Sequence, residues 1–146
     1  MIIQTQTTQF KSDCLNGLVN FTTTSPYTYK VALYTALSNL NNTTATYSGT
    51  TAEVVANGYT AGGNVITISA NPGQDLANNV AFPYFNNVTW TGATITARGA
   101  LIYNATTGNS VFVLNFGNDI TMNNFTITWP AATSTTAVIT LSLIHI

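Results

Sequence analysis

From Pro26 to the end of the chain, apolar and polar residues alternate at period two in short runs, separated by clusters of Gly, Asn, Asp and Thr. Successive side chains of a β-strand point to opposite faces, so this pattern commits the chain to strands joined by tight connections. In the first run Tyr27, Tyr29, Val31, Leu33 and Thr35 share one face, and Thr28, Lys30, Ala32, Tyr34 and Ala36 share the other. VITISA, AFPYFNNVTWT, ATITARGALIYN, SVFVLNFG, NFTITWP and AVITLSLIHI supply further strands, divided by TG, ATTGN, GNDITMN and AATST. Pro83 cannot donate to a strand ladder, so it marks an edge or a bulge. The expected fold is mainly β: an antiparallel β-sandwich or small barrel of about seven to eight strands.

A single helix interrupts this pattern. Phe10, Cys14, Leu15, Leu18 and Val19 recur at spacings of three and four, which predicts a short N-terminal helix over residues 9 to 20, weakened by Gly17. Residues 1 to 8 are polar, β-prone and unbraced, and read as an extended arm that orders against a neighbour. Met1, Ile2, Ile3, Gln4, Thr5 and Gln6 are therefore candidate partner contacts. The 146 residues fit one domain, here residues 9 to 146, with enough chain to bury a core.

Only 5% of the residues are charged, against roughly a quarter in ordinary soluble domains. Threonine (28 residues) and asparagine (18) take their place, so the surface is neutral and rich in hydrogen-bonding groups. With Lys11, Lys30 and Arg98 as the only basic side chains, phosphate-backbone binding is excluded. A net charge of −1 puts little repulsion between copies, which favours self-association. No run is long enough for a membrane span, and MIIQTQTTQF has no basic stretch leading into an apolar one. The expectation is a soluble chain made in the cytoplasm.

Candidate chemistry is sparse. The only cysteine, Cys14, and the only histidine, His145, stand at opposite ends of the chain and make neither a disulfide nor a metal site. A Ser-His-acid arrangement would need His145, which is penultimate and beside apolar Leu143 and Ile144. Asp75 and Asp119 could form a glycosidase-type carboxylate pair, but aspartate next to Gly or Asn more often closes a local turn. Cys14 reads as core filling. No cofactor, catalytic residue or metal ligand is assigned. Trp90, Trp129, Tyr84, Tyr103, Phe85 and Tyr59 could offer stacking surfaces to a sugar, or serve as core and interface residues.

Arg98, the only arginine, lies inside the apolar run ITARGALIYN. Strict alternation puts it on one face with Thr94, Thr96, Ala100 and Ile102, opposite Ile95, Ala97, Gly99, Leu101 and Tyr103. A buried arginine needs acceptors. Its expected partner is Glu53, the only glutamate, or carbonyls of residues 51 to 63, pinning that segment to the sheet.

Taken in order, FKSDCLNGLVNF, YKVALYTALSNLNNTTATYS, AEVVANGYTAGGNVIT, VTWTGATITARGALIYNATTG and VFVLNFG resemble small structural proteins of tailed-bacteriophage virions. The likeness covers most of residues 9 to 130, and KVALYT, GYTAGG and ARGALIYN are its most specific parts. It implies a β-rich virion component without enzymatic activity. The expected role is a capsid decoration (cement) protein whose partner is the major capsid protein, with a tail, neck or adaptor ring protein as the alternative.

Overall fold

A computed structural model describes residues 1 to 142. Eight strands form two antiparallel sheets, an arrangement consistent with a β-sandwich. The larger sheet has the order β1 (Thr5–Gln6), β7 (Ser110–Ile127), β6 (Val88–Asn104), β2 (Tyr29–Tyr34), β3 (Asn64–Ile66). The smaller is β4 (Ile68–Asp75), β5 (Val80–Phe85), β8 (Leu141–Ser142). The last four residues of the expected AVITLSLIHI strand lie outside the described residues, and so does His145.

The long β6–β7 hairpin is the spine. Its connection is closed by Asn104, whose side-chain oxygen accepts the Thr106 N–H at 3.0 Å, while the Gly108 N–H donates to the Asn104 carbonyl at 2.7 Å. TG and GNDITMN, expected to separate strands, are instead absorbed inside β6 and β7. The ladder accommodates them as register shifts between Trp90 and Thr94 and between Ala97 and Gly99. AFPYFNNVTWT, expected as one strand, breaks at Asn86 and Asn87 and sends β5 and β6 to different sheets. Pro83 sits opposite a register shift in β4, between Ala70 and Gly73, and beyond the short reach of β8, so its missing N–H disturbs no ladder.

The shift at Arg98 has a consequence for the faces of β6. One inserted residue exchanges the faces of everything beyond it. Ile95 and Ala97 therefore join Ala100 and Ile102 in one core cluster, while Leu101 and Tyr103 belong to another. This corrects the face assignment made from strict alternation.

Both faces of the large sheet are covered. Phe10, Phe21, Val31, Leu33, Trp90, Ile95, Ile102 and Phe112 belong to the main core, packed with Ile68 and Phe85 of the small sheet. On the opposite face Ala32, Tyr34, Leu101, Tyr103 and Val113 pack with Ile2 and Leu40, and half-buried Tyr47 closes over them. The long polar connection after β2 thus supplies the cover that its neighbouring strands require.

Helix α1 spans Thr8–Leu15, four residues or more shorter at its C-terminal end than the expected 9 to 20. The Thr7 side chain accepts the Phe10 N–H at 3.2 Å as N-cap, and the Leu18 N–H closes the other end on the Asp13 carbonyl at 2.9 Å. Phe10 and Asp13 are its buried residues, whereas Leu15 is 91% exposed. The turn at Gly17 ends the helix before the second half of the apolar stripe can be buried. The expected free arm is also corrected. Thr5 and Gln6 pair with Val113 and Phe112, so the segment is a strand of its own sheet.

Gly63 fixes where β3 meets β2. Its φ is +69°, and a Cβ there would come within 1.9 Å of the Val31 carbonyl oxygen. Gly63→Ala combines a left-handed backbone penalty with a clash against a core strand, and should cost about 3 kcal/mol or more in chemical denaturation. A loss below about 1 kcal/mol, the range of tolerated surface changes, would show that β3 is not held this close to β2.

Candidate functional site

Arg98 does not reach Glu53. Its Nε donates to Asp119 Oδ1 at 2.8 Å, with the two side chains 33% and 52% exposed. The pairing pattern explains why. Ala97 faces Ile120 and Gly99 faces Asn115, so residues 116 to 119 form an excursion of β7 opposite Arg98. The same irregularity turns Arg98 toward the surface, where it staples the excursion. Arg98–Asp119 is the one ion pair among the described residues.

Glu53 has other partners. It sits against β2 through an isolated bridge to Tyr34. Its Oε2 accepts the Tyr47 hydroxyl at 2.7 Å, and its Oε1 accepts the Tyr59 hydroxyl and the Gly62 N–H, each at 2.7 Å. Tyr59 in turn accepts the Leu33 N–H at 2.9 Å, and the Tyr103 hydroxyl donates to the Gly62 carbonyl at 2.7 Å. The Tyr47 and Tyr103 rings stack at 4.5 Å, tilted by 11°. The segment expected to be pinned by arginine is thus pinned by phenols around a carboxylate. The sequence carried a signal for this arrangement, because Tyr47 and Tyr59 lie six residues either side of Glu53.

Burial, and then the Glu53 carboxylate, push the Tyr47 and Tyr59 hydroxyls far above their ordinary value. Burial raises Tyr34 as well, and lifts Tyr29 to about 12. These groups act as neutral donors and acceptors.

The remaining carboxylates are also engaged. Buried Asp13 accepts Gln9 Nε2 at 2.8 Å and Asn109 Nδ2 at 2.9 Å, tying α1 to the β6–β7 turn. Asp75 accepts the Ala77 and Asn78 N–H groups at 3.1 and 3.2 Å and Asn78 Nδ2 at 2.8 Å, closing the β4–β5 hairpin. Hydrogen bonds from Ser134 and then Asn78 lower its pKa. Asp75 belongs to the small sheet and Asp119 to the large one, each with its own partner, so they make no shared carboxylate site.

Cys14 lines an apolar cavity of about 260 Å³ with Phe10, Phe21, Phe82 and Ile139. Burial, with a smaller contribution from Asp13, raises its thiol pKa. It fills space and is not poised as a thiolate. The six aromatic candidates do not form one surface. Trp90 and Tyr103 are buried, and Trp90 packs between Tyr59 and Phe125 at 6.0 and 6.1 Å. Tyr84, Phe85 and Trp129 line a separate pocket of about 250 Å³, with the Trp129 Nε1 donating to the Asn86 carbonyl at 2.7 Å.

Of the six N-terminal candidates, Ile2 is 3% exposed, Thr5 and Gln6 are in the ladder, and Met1, Ile3 and Gln4 face outward. Among the described residues no three His, Cys, Asp or Glu side chains gather as metal ligands, and no helix is long and apolar enough to cross a membrane. No protein-family model, no curated protein and no solved structure matches the chain.

Two measurements separate the roles of the charges. Arg98→Ala removes an exposed pair and should cost less than about 1 kcal/mol in denaturant unfolding. Glu53→Gln turns an amide N–H₂ toward groups that themselves donate, and should cost about 2 to 4 kcal/mol. The reverse ranking would return the clamp to Arg98.

The tyrosines predict alkaline sensitivity. Tyr29 titrates near 12 when folded and near 10 when unfolded, so between these values the unfolded chain has released a proton that the folded chain keeps. Stability is therefore complete below pH 10 and falls as pH rises from 10 to 12. Most phenolate absorbance should appear together with loss of the β-sheet circular dichroism signal, and full phenolate formation with the sheet signal intact would contradict this.

Proposed function

We propose that the chain is a structural protein of a tailed-phage virion, most concretely a decoration protein that binds the outer face of the capsid and bridges major capsid subunits without catalysis. One observation carries this reading: all four carboxylates of the chain hold its own backbone and side chains in place. Glu53 holds the cover of the second sheet face, Asp13 the helix, Asp75 a hairpin and Asp119 the β7 excursion. A carboxylate whose lone pairs already accept two or more local donors, as in Glu53, Asp13 and Asp75, is poorly placed to exchange protons with a substrate.

Attachment then rests on shape, neutral hydrogen bonding and isolated apolar side chains. Leu15, Leu37, Val55 and Leu76 are each at least 79% exposed, and each offers a small contact that repetition over many sites multiplies. The proposed location is the virion, with self-association and the major capsid protein as partners.

Stoichiometry in purified particles tests the reading. Shell decoration predicts hundreds of copies, in proportion to the major capsid protein. About six to twelve copies would move the protein to a neck or tail ring, as closed cyclic symmetry demands. Absence from purified particles would overturn both.

A further inference from the structure

We infer that the groove along β7 is a strand-acceptor site, and that on a crowded assembly it takes residues 1 to 6 of a second copy of this chain in place of its own. The occupant is on view, because the chain's own N-terminus fills the groove. Ile2 is the plug. It is 3% exposed and seated over Gly99, where a Cβ would come within 2.9 Å of the Ile2 Cδ1 and 2.4 Å of the Leu114 carbonyl oxygen. Only glycine at that position leaves the socket open.

Backbone and amide groups read the rest of the segment. Asn115 Nδ2 donates to the Ile2 carbonyl at 2.9 Å, and the Asn115 N–H donates to Gln4 Oε1 at 3.3 Å. The Ile3 N–H donates to the Leu40 carbonyl at 2.8 Å, and Gln6 Nε2 to the Thr140 carbonyl at 2.6 Å. Thr5 and Gln6 complete the sheet edge opposite Val113 and Phe112. One apolar plug, a two-residue ladder and a row of hydrogen bonds describe a docked peptide more than an integral strand.

The segment is also separable from the chain that carries it. Thr7 behind it is anchored independently, its N–H donating to the Val111 carbonyl at 3.1 Å while its side chain caps α1. Residues 1 to 6 can leave without unwinding the helix, and in extended form they reach about 20 Å. A strand from a neighbour would make the same contacts as the resident one. The competition between them is then set by local concentration, about millimolar for a short tether, which copies packed side by side also reach. The inference rests on the multi-copy reading above for that crowding. No charged side chain lies in residues 1 to 6, so none opposes the exchange.

The test uses Thr5→Cys with Val113→Cys, ladder partners within disulfide reach, in a Cys14→Ser background. Normal and heavy-isotope copies are mixed, refolded together at about millimolar concentration and oxidised with oxidised glutathione. Exchange gives cross-linked peptides joining light to heavy copies, and light–light and heavy–heavy links alone overturn it. As a check that does not depend on the core substitution, a variant lacking residues 1 to 6 is titrated with the synthetic peptide MIIQTQ. Saturable binding that restores thermal stability, and is lost when the peptide carries Ile2→Asp, supports the acceptor site. No binding by the native peptide overturns it. Particle stoichiometry reads the virion assignment separately, so either idea can fail alone.

Discussion

The large sheet is apolar on both faces, and the rest of the structure follows from the need to cover each of them. A sheet with one dry face can leave the other in water, but β2 buries Val31 and Leu33 on one side and Ala32 and Tyr34 on the other. The small sheet and α1 cover the first side. The second is covered by irregular chain, whose backbone polar groups must find partners wherever they are taken out of water. Threonine, asparagine and tyrosine supply those partners locally. Glu53 is the point where they converge, since one carboxylate accepts from two phenols and a backbone N–H and so joins three parts of the cover to β2 and β6.

The architecture was legible in the sequence because alternation and turn residues report the same physics as strands and hairpins. The positions of β2 and of the later strands, the single N-terminal helix and the special place of Pro83 could all be read from it. Strand ends and faces could not. Gly92 and Gly117 look like punctuation, yet a twisted two-stranded ladder takes up extra residues as bulges and continues. Once a bulge is present, period two no longer says which face a residue is on, and this is why Arg98 was grouped with Ala100 and Ile102. The helix ran long in the reading for a related reason: Leu15 and Leu18 fit the helical spacing, but spacing cannot reveal that no surface lies opposite them.

The charges show the same boundary between what spacing tells and what packing decides. That Glu53 anchors the connection after β2 to the sheet was readable from its isolation in a charge-poor chain. Its partner was not, because the expectation that a charge seeks a counter-charge ignores what neutral phenols accomplish at short range. Two tyrosine hydroxyls at 2.7 Å satisfy a half-buried carboxylate without bringing a cation into the interior, whose desolvation would offset much of the attraction. Arg98 is left to the surface, where the cost of hydration loss is small and the gain is correspondingly modest.

A fold built this way also behaves differently toward its surroundings. Where stability comes from ion pairs, salt weakens it and neighbouring charges perturb it. Here the interior network is neutral donors around one carboxylate, and the outside carries few charges to attract or repel. Copies of such a chain can be brought into contact without electrostatic penalty, and what then decides whether they join is geometry: an open strand edge, a socket the size of one isoleucine, and hydrogen-bonding groups at the right intervals. β7 beside Gly99 presents all three, and in the isolated chain its own first six residues occupy them.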